Sequence, residues 1–168
     1  IPEDIKTKVI QQLVQAISNR NNHITSGIFG TPIVLTVLSD LNLNDIAYQM
    51  ATQIDFPGWG HMLSSGATTL WETWKYSDNV FSHNHPMFGS VGEWMYQSLA
   101  GIKALSPGFK QICIHPQASG DLQWVNSSYE SSRGKITCQW KKENGIYMLQ
   151  VHIPVNTKAQ VFIPNKSQ

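Results

Sequence analysis

The sequence predicts an α+β protein in two parts, with helices over residues 1–105 and an antiparallel β-sandwich over residues 106–168. Apolar residues recur at helical spacing in the first part and alternate along short runs in the second. The pattern changes after Ser106-Pro107-Gly108, where proline and glycine interrupt regular structure. We therefore expect a domain boundary between residues 105 and 106.

The first two helices are predicted from apolar spacing and from their start signals. Pro2, Glu3 and Asp4 suit the first turn of a helix. Thr31 before Pro32 is typical of an N-cap, and the apolar run over 33–38 predicts that the second helix is buried. The apolar stripe of the first helix consists of Ile5, Val9, Ile10, Leu13, Val14 and Ile17.

Three further helices complete the helical part. Asn44 is expected to cap a helix that carries Ala47, Met50 and Ile54, and Thr69 a short fourth one. A fifth is predicted from about residues 88–90 to 104. Five helices with wide apolar faces need more partners than this chain supplies, so we expect one arc of a larger helical array. A compact small bundle is the alternative.

The second part has the signals of antiparallel strands. Glu143-Asn144-Gly145 separates two strand-like runs and predicts a hairpin, and Val161 and Ile163 end one more strand. Trp124 and Trp140 alternate as core residues would. The other alternating positions are Ile112, Ile114, Leu122, Ile136 and Cys138.

Charge and cysteine content exclude several classes of protein. Lys and Arg number 12 against 11 for Asp and Glu, which argues against a nucleic-acid-binding surface. No apolar run is long enough to span a bilayer, so we expect no membrane partner. Two cysteines, Cys113 and Cys138, are too few for a disulfide framework, and we favour two strand-borne thiols over a bridge.

The chain opens at Ile1 and shows no signal peptide. We expect it to be a piece of a longer polypeptide, and the sequence leaves its compartment open.

Residues 56–96 concentrate more than half of the aromatic side chains and half of the histidines. Sugars present apolar C–H faces that stack on aromatic rings and hydroxyls that need polar partners, so this composition suits a carbohydrate pocket. An aromatic-rich helical core has the same composition. The residues alone leave both interpretations open.

Glu72 has two interpretations. Thr69 and Glu72 have the spacing of a capping box, as do Ser90 and Glu93. Alternatively, Glu72 is a general base flanked by the indoles of Trp71 and Trp74, because apolar walls tune the basicity of a carboxylate. On the residues alone the cap is favoured for both glutamates.

No motif indicates a metal or a cofactor. His83 and His85 stand at alternate positions without a nearby cysteine or acidic pair, which fits a metal site poorly. The sequence also lacks a nucleophile elbow and a phosphate-binding loop. We therefore expect neither metal nor cofactor.

A series of short motifs resembles the C-terminal portion of bacterial α-L-rhamnosidases, glycoside hydrolase family 78, over nearly the whole chain. The motifs occur in the family's order: Ser26-Gly27-Ile28-Phe29-Gly30-Thr31-Pro32, Pro57-Gly58-Trp59-Gly60, Gly66-Ala67-Thr68-Thr69-Leu70-Trp71-Glu72, Asn84-His85, Phe88-Gly89-Ser90-Val91-Gly92-Glu93-Trp94, Gly101-Ile102 and Pro107-Gly108-Phe109.

The resemblance implies the last helices of an (α/α)6 catalytic barrel over residues 1–105, followed by the β-sandwich. It implies inverting hydrolysis of terminal α-L-rhamnose from glycosides or polysaccharides, with Glu72 as the general base. The sugar-binding residues that it implies are His85, Asn84, Trp59, Trp71 and Trp74.

The family's general acid lies upstream of these motifs, and Asp55 and Asp78 have no counterpart as that acid. The resemblance therefore implies that the upstream part of the same polypeptide is a partner and that this chain is inactive alone. Pro86 stands where an aromatic is usual, and the loop between Glu72 and His85 is short, so we expect the aglycone side of the pocket to differ from the family more than the rhamnose side. The alternatives are a toroid hydrolase or lyase for another sugar and a non-catalytic carbohydrate-binding protein.

Overall fold

A computed structural model describes residues 1–78 and 80–163. The chain forms two compact units, Ile1–Ser90 and Val91–Gln168. Between residues 1–78 and 80–163, no helix has the length and apolar character needed to cross a membrane.

The first unit is helical. Its α-helices are α1 (Glu3–Ser18), α2 (Gly30–Asp40), α3 (Asn44–Ala51) and α4 (Trp59–Ser64). A long loop follows α4 and leads into a 3-10 turn at Pro86–Gly89. Helix α5 (Ser90–Trp94) begins at the last residue of this unit, and it passes directly into a π-helical turn at Met95–Leu99 in the second unit. The predicted fifth helix therefore exists, but it ends at Leu99, and the prediction that it extends to Ala104 is wrong.

Helices α1 and α2 have the predicted positions but are only partly covered. In α1, Ile17 is buried while Ile5 at the other end of the stripe is 44% exposed. In α2, Leu35 and Leu38 are buried while Ile33 is 63% exposed. The prediction that α2 is buried all round is therefore wrong: α2 packs on α3 and leaves its opposite face uncovered within this unit.

The predicted helix starts are displaced because the expected capping residues bond to groups four or five positions earlier in the chain instead of to the first turn of their helices. Helix α2 begins at Gly30, and the Thr31 hydroxyl donates to the Gly27 carbonyl at 2.9 Å from inside the first turn. Asn44 is the first residue of α3 rather than its cap, and its Oδ1 accepts from the Ser39 hydroxyl at 2.8 Å.

The position predicted for the fourth helix is also wrong. It runs over Trp59–Ser64, before Thr69, and Thr69 lies in the following loop. Gly60 explains the closeness of α4 to its preceding loop, because a Cβ on Gly60 would lie 2.4 Å from the Gln53 carbonyl oxygen. Ile54 lies outside α3 and is 78% exposed, so its placement on the third helix is wrong.

The second unit contains two three-stranded sheets. Their strands are β1 (Ile102–Ala104), β2 (Gln111–Ile114), β3 (Trp124–Ser131), β4 (Gly134–Glu143), β5 (Ile146–His152) and β6 (Lys158–Val161). The sheet orders are β1-β2-β6 and β3-β4-β5. Three pairings are antiparallel, as predicted, whereas β2 and β6 are parallel. The boundary between residues 105 and 106 stays a prediction, although β1, just before it, pairs with β2.

The register of the second sheet decides which side chains enter the core. Trp140, Ile136 and Cys138 on β4 are buried. Trp124 pairs with Lys141 and is 64% exposed, so its assignment to the core is wrong. Because successive side chains of a strand point to opposite faces, Trp124 shares the outward face of the sheet with Lys141. Leu122 precedes β3 and lies outside any strand.

The hairpin between β4 and β5 is confirmed. Asn144 and Gly145 have φ of 52° and 75°, the left-handed conformation that a two-residue turn of the tight type requires. Ile163 lies beyond the last residue of β6, so the final strand ends earlier than predicted.

Both cysteines are free thiols on strands, as favoured. Burial raises the pKa of Cys138 to about 11. A thiol with that pKa is almost entirely protonated at neutral pH, and it is the thiolate that reacts.

An ion pair joins the loops that flank the helices of the first unit. His23 Nε2 lies 2.7 Å from Asp55 Oδ1, and this hydrogen bond raises the pKa of His23 and lowers that of Asp55. The pair therefore stabilises the unit most between about pH 4 and 6.5, where both groups are charged even when unfolded. Its contribution falls as pH rises through the pKa of His23, and falls again as pH drops through the pKa of Asp55.

We expect Asp55→Asn to return the pKa of His23 toward its ordinary value, as measured by an NMR titration of the imidazole. The variant should also lower the thermal midpoint near pH 5.5, with a smaller difference at pH 8. Asp4→Asn removes an exposed carboxylate from α1 and should leave the His23 titration unchanged. An unchanged His23 titration in Asp55→Asn would contradict the pairing.

Candidate active site

The loop after α4 folds back on itself and holds Glu72. The Glu72 N–H donates to the Ser82 carbonyl at 2.9 Å, and the His85 N–H donates to the Leu70 carbonyl at 2.9 Å. These two backbone hydrogen bonds join residues 70–72 to residues 82–85. The loop thereby brings two of the sequence motifs, the one that ends at Glu72 and Asn84-His85, next to each other.

The Glu72 carboxylate is half-buried and fixed in orientation. Its Oε2 accepts a hydrogen bond from the Ser82 backbone N–H at 2.9 Å. The predicted capping box is wrong, because no helix begins at Thr69 and the Thr69 hydroxyl instead donates to the His83 carbonyl. The loop therefore holds the Glu72 carboxylate, and this side chain does not cap a helix.

The second predicted capping box is also wrong. Glu93 Oε1 accepts from Gln97 Nε2 at 2.7 Å, one helical turn further along. The Ser90 hydroxyl is buried and has no hydrogen-bond partner among the described residues. The spacing of the two glutamates is the same, but each carboxylate finds a different partner in the folded chain.

A cleft of about 430 Å³ opens at this loop, and Trp71 lines it while the next residue, Glu72, is not among its lining residues. One wall is the turn over residues 65–69, and the other consists of the rings of Trp71, Tyr76 and His83. Ring centroids lie 5.2 Å apart for Trp71 and Tyr76 and 4.5 Å apart for Tyr76 and His83. Aromatic faces on one side and hydroxyl and backbone groups on the other are what a sugar ring requires.

Trp59 and Trp74 belong to the core of the first unit and do not line this cleft. Their centroids lie 5.0 Å apart, and Trp74 stacks on Phe88 at 3.7 Å. The indole N–H of Trp59 donates to the Phe88 carbonyl at 3.0 Å, and that of Trp74 donates to the Ser26 carbonyl at 2.8 Å. The aromatic residues of segment 56–96 therefore form both part of the hydrophobic core and one wall of the cleft. Sugar contacts by Trp59 and Trp74 stay predictions.

His85 and Asn84 lie in segment 82–85 of this loop. His85 is half-buried, and its Nδ1 lies 3.4 Å from the Met87 N–H, which donates to it. A neutral imidazole that accepts at Nδ1 carries its proton at Nε2, so Nε2 is available as a donor. Asn84 is exposed, and its backbone N–H donates to the Ser82 hydroxyl at 3.0 Å.

His83 and Tyr76 line the cleft, although no sequence motif predicted a role for them there. His83 Nε2 is buried and has no hydrogen-bond partner in the described part of the chain. A hydrogen bond to Asp78 raises the pKa of Tyr76, which keeps the phenol protonated. In the sequence, both residues stand out only as members of the aromatic- and histidine-rich segment 56–96. No group of three His, Cys, Asp or Glu residues is arranged to hold a metal within residues 1–78 and 80–163.

Two family models together match nearly the whole chain. The model described as bacterial alpha-L-rhamnosidase 6 hairpin glycosidase domain matches residues 1–99. The model described as bacterial alpha-L-rhamnosidase C-terminal domain matches residues 101–168.

Individual relatives agree with the family models. The chain is 34% identical over 172 residues to an alpha-L-rhamnosidase of Streptomyces avermitilis, covering 98% of this chain and 17% of the relative. It is 33% identical to one of Formosa agariphila, covering 98% of this chain and 19% of the relative. The chain thus spans less than a fifth of these relatives and corresponds to their C-terminal part.

Solved structures of alpha-L-rhamnosidases have the same fold over this region. The enzyme from Dictyoglumus thermophilum superposes with a TM-score of 0.95 at 34% identity, over 99% of this chain and 19% of that one. The Streptomyces avermitilis enzyme, solved in complex with L-rhamnose, superposes with a TM-score of 0.94 at 33% identity, over 99% of this chain and 17% of that one. The chain therefore belongs to the bacterial alpha-L-rhamnosidase family and comprises part of the six-hairpin glycosidase domain and the C-terminal β domain.

Proposed function

We propose that this chain supplies the general base and part of the sugar pocket of an inverting α-L-rhamnosidase. The observation that carries the proposal is the half-buried Glu72 carboxylate, held by the Ser82 N–H at 2.9 Å and adjacent in the chain to Trp71, which lines the aromatic cleft. Similarity to glycosidases named alpha-L-rhamnosidases, one of them solved with L-rhamnose bound, supports the choice of sugar.

The chemistry follows from a pair of carboxyl groups. In an inverting glycosidase, one carboxylic acid protonates the leaving oxygen while a carboxylate deprotonates a water on the opposite face, roughly 6.5–9.5 Å away. Glu72 Oε2 accepts from the Ser82 N–H, which leaves Oε1 as the oxygen that would take the proton from the attacking water. The acid comes from a part of the polypeptide upstream of these 168 residues.

The cleft supplies the binding. The ring of Tyr76, which is 51% exposed, would stack on the apolar side of rhamnose, which carries a methyl group, and the buried Trp71 ring, at 71° to Tyr76, would border the sugar. His83 Nε2, buried without a partner among the described residues, would accept or donate one hydrogen bond to a sugar hydroxyl. His85 Nε2 would donate another. Roles for Asn84, Trp59 and Trp74 rest on the family resemblance alone.

Hydrolysis of an aryl α-L-rhamnoside by the complete gene product tests this function. NMR should detect the β anomer of rhamnose first, before mutarotation, because water attacks from the face opposite the leaving group. Aryl α-L-arabinosides and uronides should react far more slowly. Preferential turnover of either would favour a toroid enzyme for another sugar, and rhamnose binding without turnover would favour a non-catalytic protein.

The 168-residue chain alone should show no rhamnosidase activity, because a base without its acid leaves the glycosidic oxygen unprotonated. The measurement is release of rhamnose from an alkyl α-L-rhamnoside, whose poor leaving group requires protonation, on prolonged incubation with the complete gene product as the positive control. Enzymatic release by the isolated chain would place the acid within these residues and contradict the proposed division of the catalytic pair.

A further inference from the structure

A second cleft, of about 450 Å³, lies within the unit Val91–Gln168. It has no part in the proposed chemistry of Glu72. Three aromatic rings and three polar side chains form most of its lining: Tyr96, Phe109, Tyr129, Glu93, Gln97 and Lys103. Its volume lies in the range of pockets that hold small molecules.

Two of the three rings are open to solvent, whereas Phe109 is half-buried and packs against the core of the second unit. Phe109 and Tyr129 lie 4.8 Å apart between centroids, and Tyr96 meets Tyr129 edge-on at 6.2 Å. Tyr96 is 44% exposed and Tyr129 is 40% exposed. Neighbouring tyrosines with open faces offer both a surface for sugar C–H groups and phenolic hydroxyls for hydrogen bonds.

The polar groups are arranged to bind hydroxyls. Gln97 Nε2 donates to Glu93 Oε1 at 2.7 Å, which fixes both side chains on one helical face. The second Glu93 oxygen and the Gln97 amide oxygen are hydrogen-bond acceptors, and the Lys103 ammonium is a donor. Because a carboxylate and an ammonium line the same cleft, their charges offset each other and a neutral ligand is favoured over an ionic one.

The helical wall of the cleft is held by the π-helical turn. The Ala100 N–H donates to the Met95 carbonyl at 2.9 Å, five residues back, and Trp140 Nε1 donates to the Leu99 carbonyl at 2.8 Å. Single π turns inside helices frequently occur at functional sites. Here the turn ties the end of the helix to β4 and so orients Tyr96 and Gln97.

The opposite wall depends on an unusual backbone conformation. Phe109 has φ of 56°, a left-handed value that is uncommon for an aromatic residue. The preceding Gly108 carbonyl accepts from Arg133 Nε at 3.1 Å, which anchors the turn to the β3–β4 hairpin. The Pro107-Gly108-Phe109 motif thus directs a ring against Tyr129, and the strained conformation is maintained by contacts outside the turn.

We propose that this cleft is a carbohydrate-binding site that takes a neutral pyranose unit of an oligosaccharide, separate from the cleft lined by Trp71. The exposed rings of Tyr96 and Tyr129 bind the apolar face of the sugar, Phe109 supports Tyr129 at a tilt of 36°, and Glu93 and Gln97 bind the sugar hydroxyls. The site stands on the geometry of the second unit alone, so it does not depend on the role proposed for Glu72.

Amide NMR of the complete gene product, isotope-labelled only over these 168 residues by segmental ligation, tests the proposal with L-rhamnose, D-galactose and D-galacturonate as probes. We expect saturable shifts of the signals of Tyr96, Gln97, Phe109 and Tyr129 with the neutral sugars, at dissociation constants on the order of millimolar. Galacturonate should bind no better than D-galactose. Shifts at residues 65–85 report the cleft lined by Trp71, so the two sites are distinguished in one spectrum.

Variants identify the contacts. Tyr129→Ala should weaken binding roughly fivefold, whereas Tyr129→Phe, which keeps the ring, should stay within about twofold. Tyr96→Ala gives an independent test if Tyr129→Ala loses its dispersed spectrum. Trp124→Ala, which removes an exposed ring elsewhere on β3, is the matched control and should bind as the unchanged chain does.

Two results would overturn the proposal. One is the absence of shifts at the four residues for both neutral sugars up to their solubility limits, in a folded sample. The other is a loss of binding in Trp124→Ala as large as that in Tyr129→Ala, which would assign binding to the outward face of the sheet.

Discussion

Glu72→Gln in the complete gene product should lower kcat for an aryl α-L-rhamnoside by about a thousandfold, which is within the range that a general base contributes. The amide is nearly the same size as the carboxylate, and its oxygen can still accept from the Ser82 N–H. The substitution therefore removes the basicity and keeps the local fold. KM should change little, because the aromatic cleft remains intact.

Two further measurements separate a catalytic from a structural role for Glu72. In Glu72→Ala, azide should restore part of the aryl release, because this small anion attacks without needing deprotonation. Glu3→Gln removes an exposed carboxylate paired with Lys6 at 3.0 Å in the same unit, and it should leave turnover unchanged. Near-normal turnover in a folded Glu72→Gln protein would reject Glu72 as the base.

Gly101→Ala should cause the largest loss of stability of any single methyl added to the second unit. Gly101 has φ of 74°, and a Cβ there would lie 2.1 Å from the Pro116 nitrogen and 2.3 Å from the His115 carbonyl carbon. Both neighbours are backbone atoms, so neither can move away from the added methyl group by a change of side-chain rotamer. The left-handed conformation alone costs of order 1–3 kcal/mol for a residue with a side chain, and the clash adds to it.

We therefore expect Gly101→Ala to reduce the free energy of unfolding by at least about 3 kcal/mol, measured by urea denaturation. The clash also opposes the hydrogen bond from the His115 N–H to the Gly101 carbonyl, 2.8 Å long, beside the β1–β2 pairing. Gly92→Ala is the matched control: nothing lies within 4 Å of its Cβ position in α5. There, alanine should be neutral or stabilising by about 0.5–1 kcal/mol. Equal effects of the two substitutions would contradict the close approach at Gly101.

The apolar pattern predicted much of the helix and strand content. Helix α1 and the β4–β5 hairpin follow from local signals, because a 3.6-residue stripe and an Asn-Gly turn each carry their geometry within a few neighbouring residues. The resemblance to the family came from short motifs in a fixed order, and the comparisons confirm it.

Helix ends were predicted less well, since a short polar side chain suits either a cap or another hydrogen bond. Thr31 and Asn44 both look like caps in isolation, yet each bonds to a residue four or five positions earlier in the chain. Thr69 shows the same ambiguity over a longer distance, because its hydroxyl bonds the carbonyl of His83, 14 residues further on.

The sequence by itself determined the two-part α+β organisation, the family and the candidate base. The tertiary structure alone decided that Glu72 is held by Ser82 rather than by a helix end, and that Trp71 faces a cleft while Trp59 and Trp74 fill the core. It also decided that Trp124 points outward and that β6 runs parallel to β2. Each of these depends on residues distant in the chain, and neither spacing nor propensity encodes which distant partner a side chain meets.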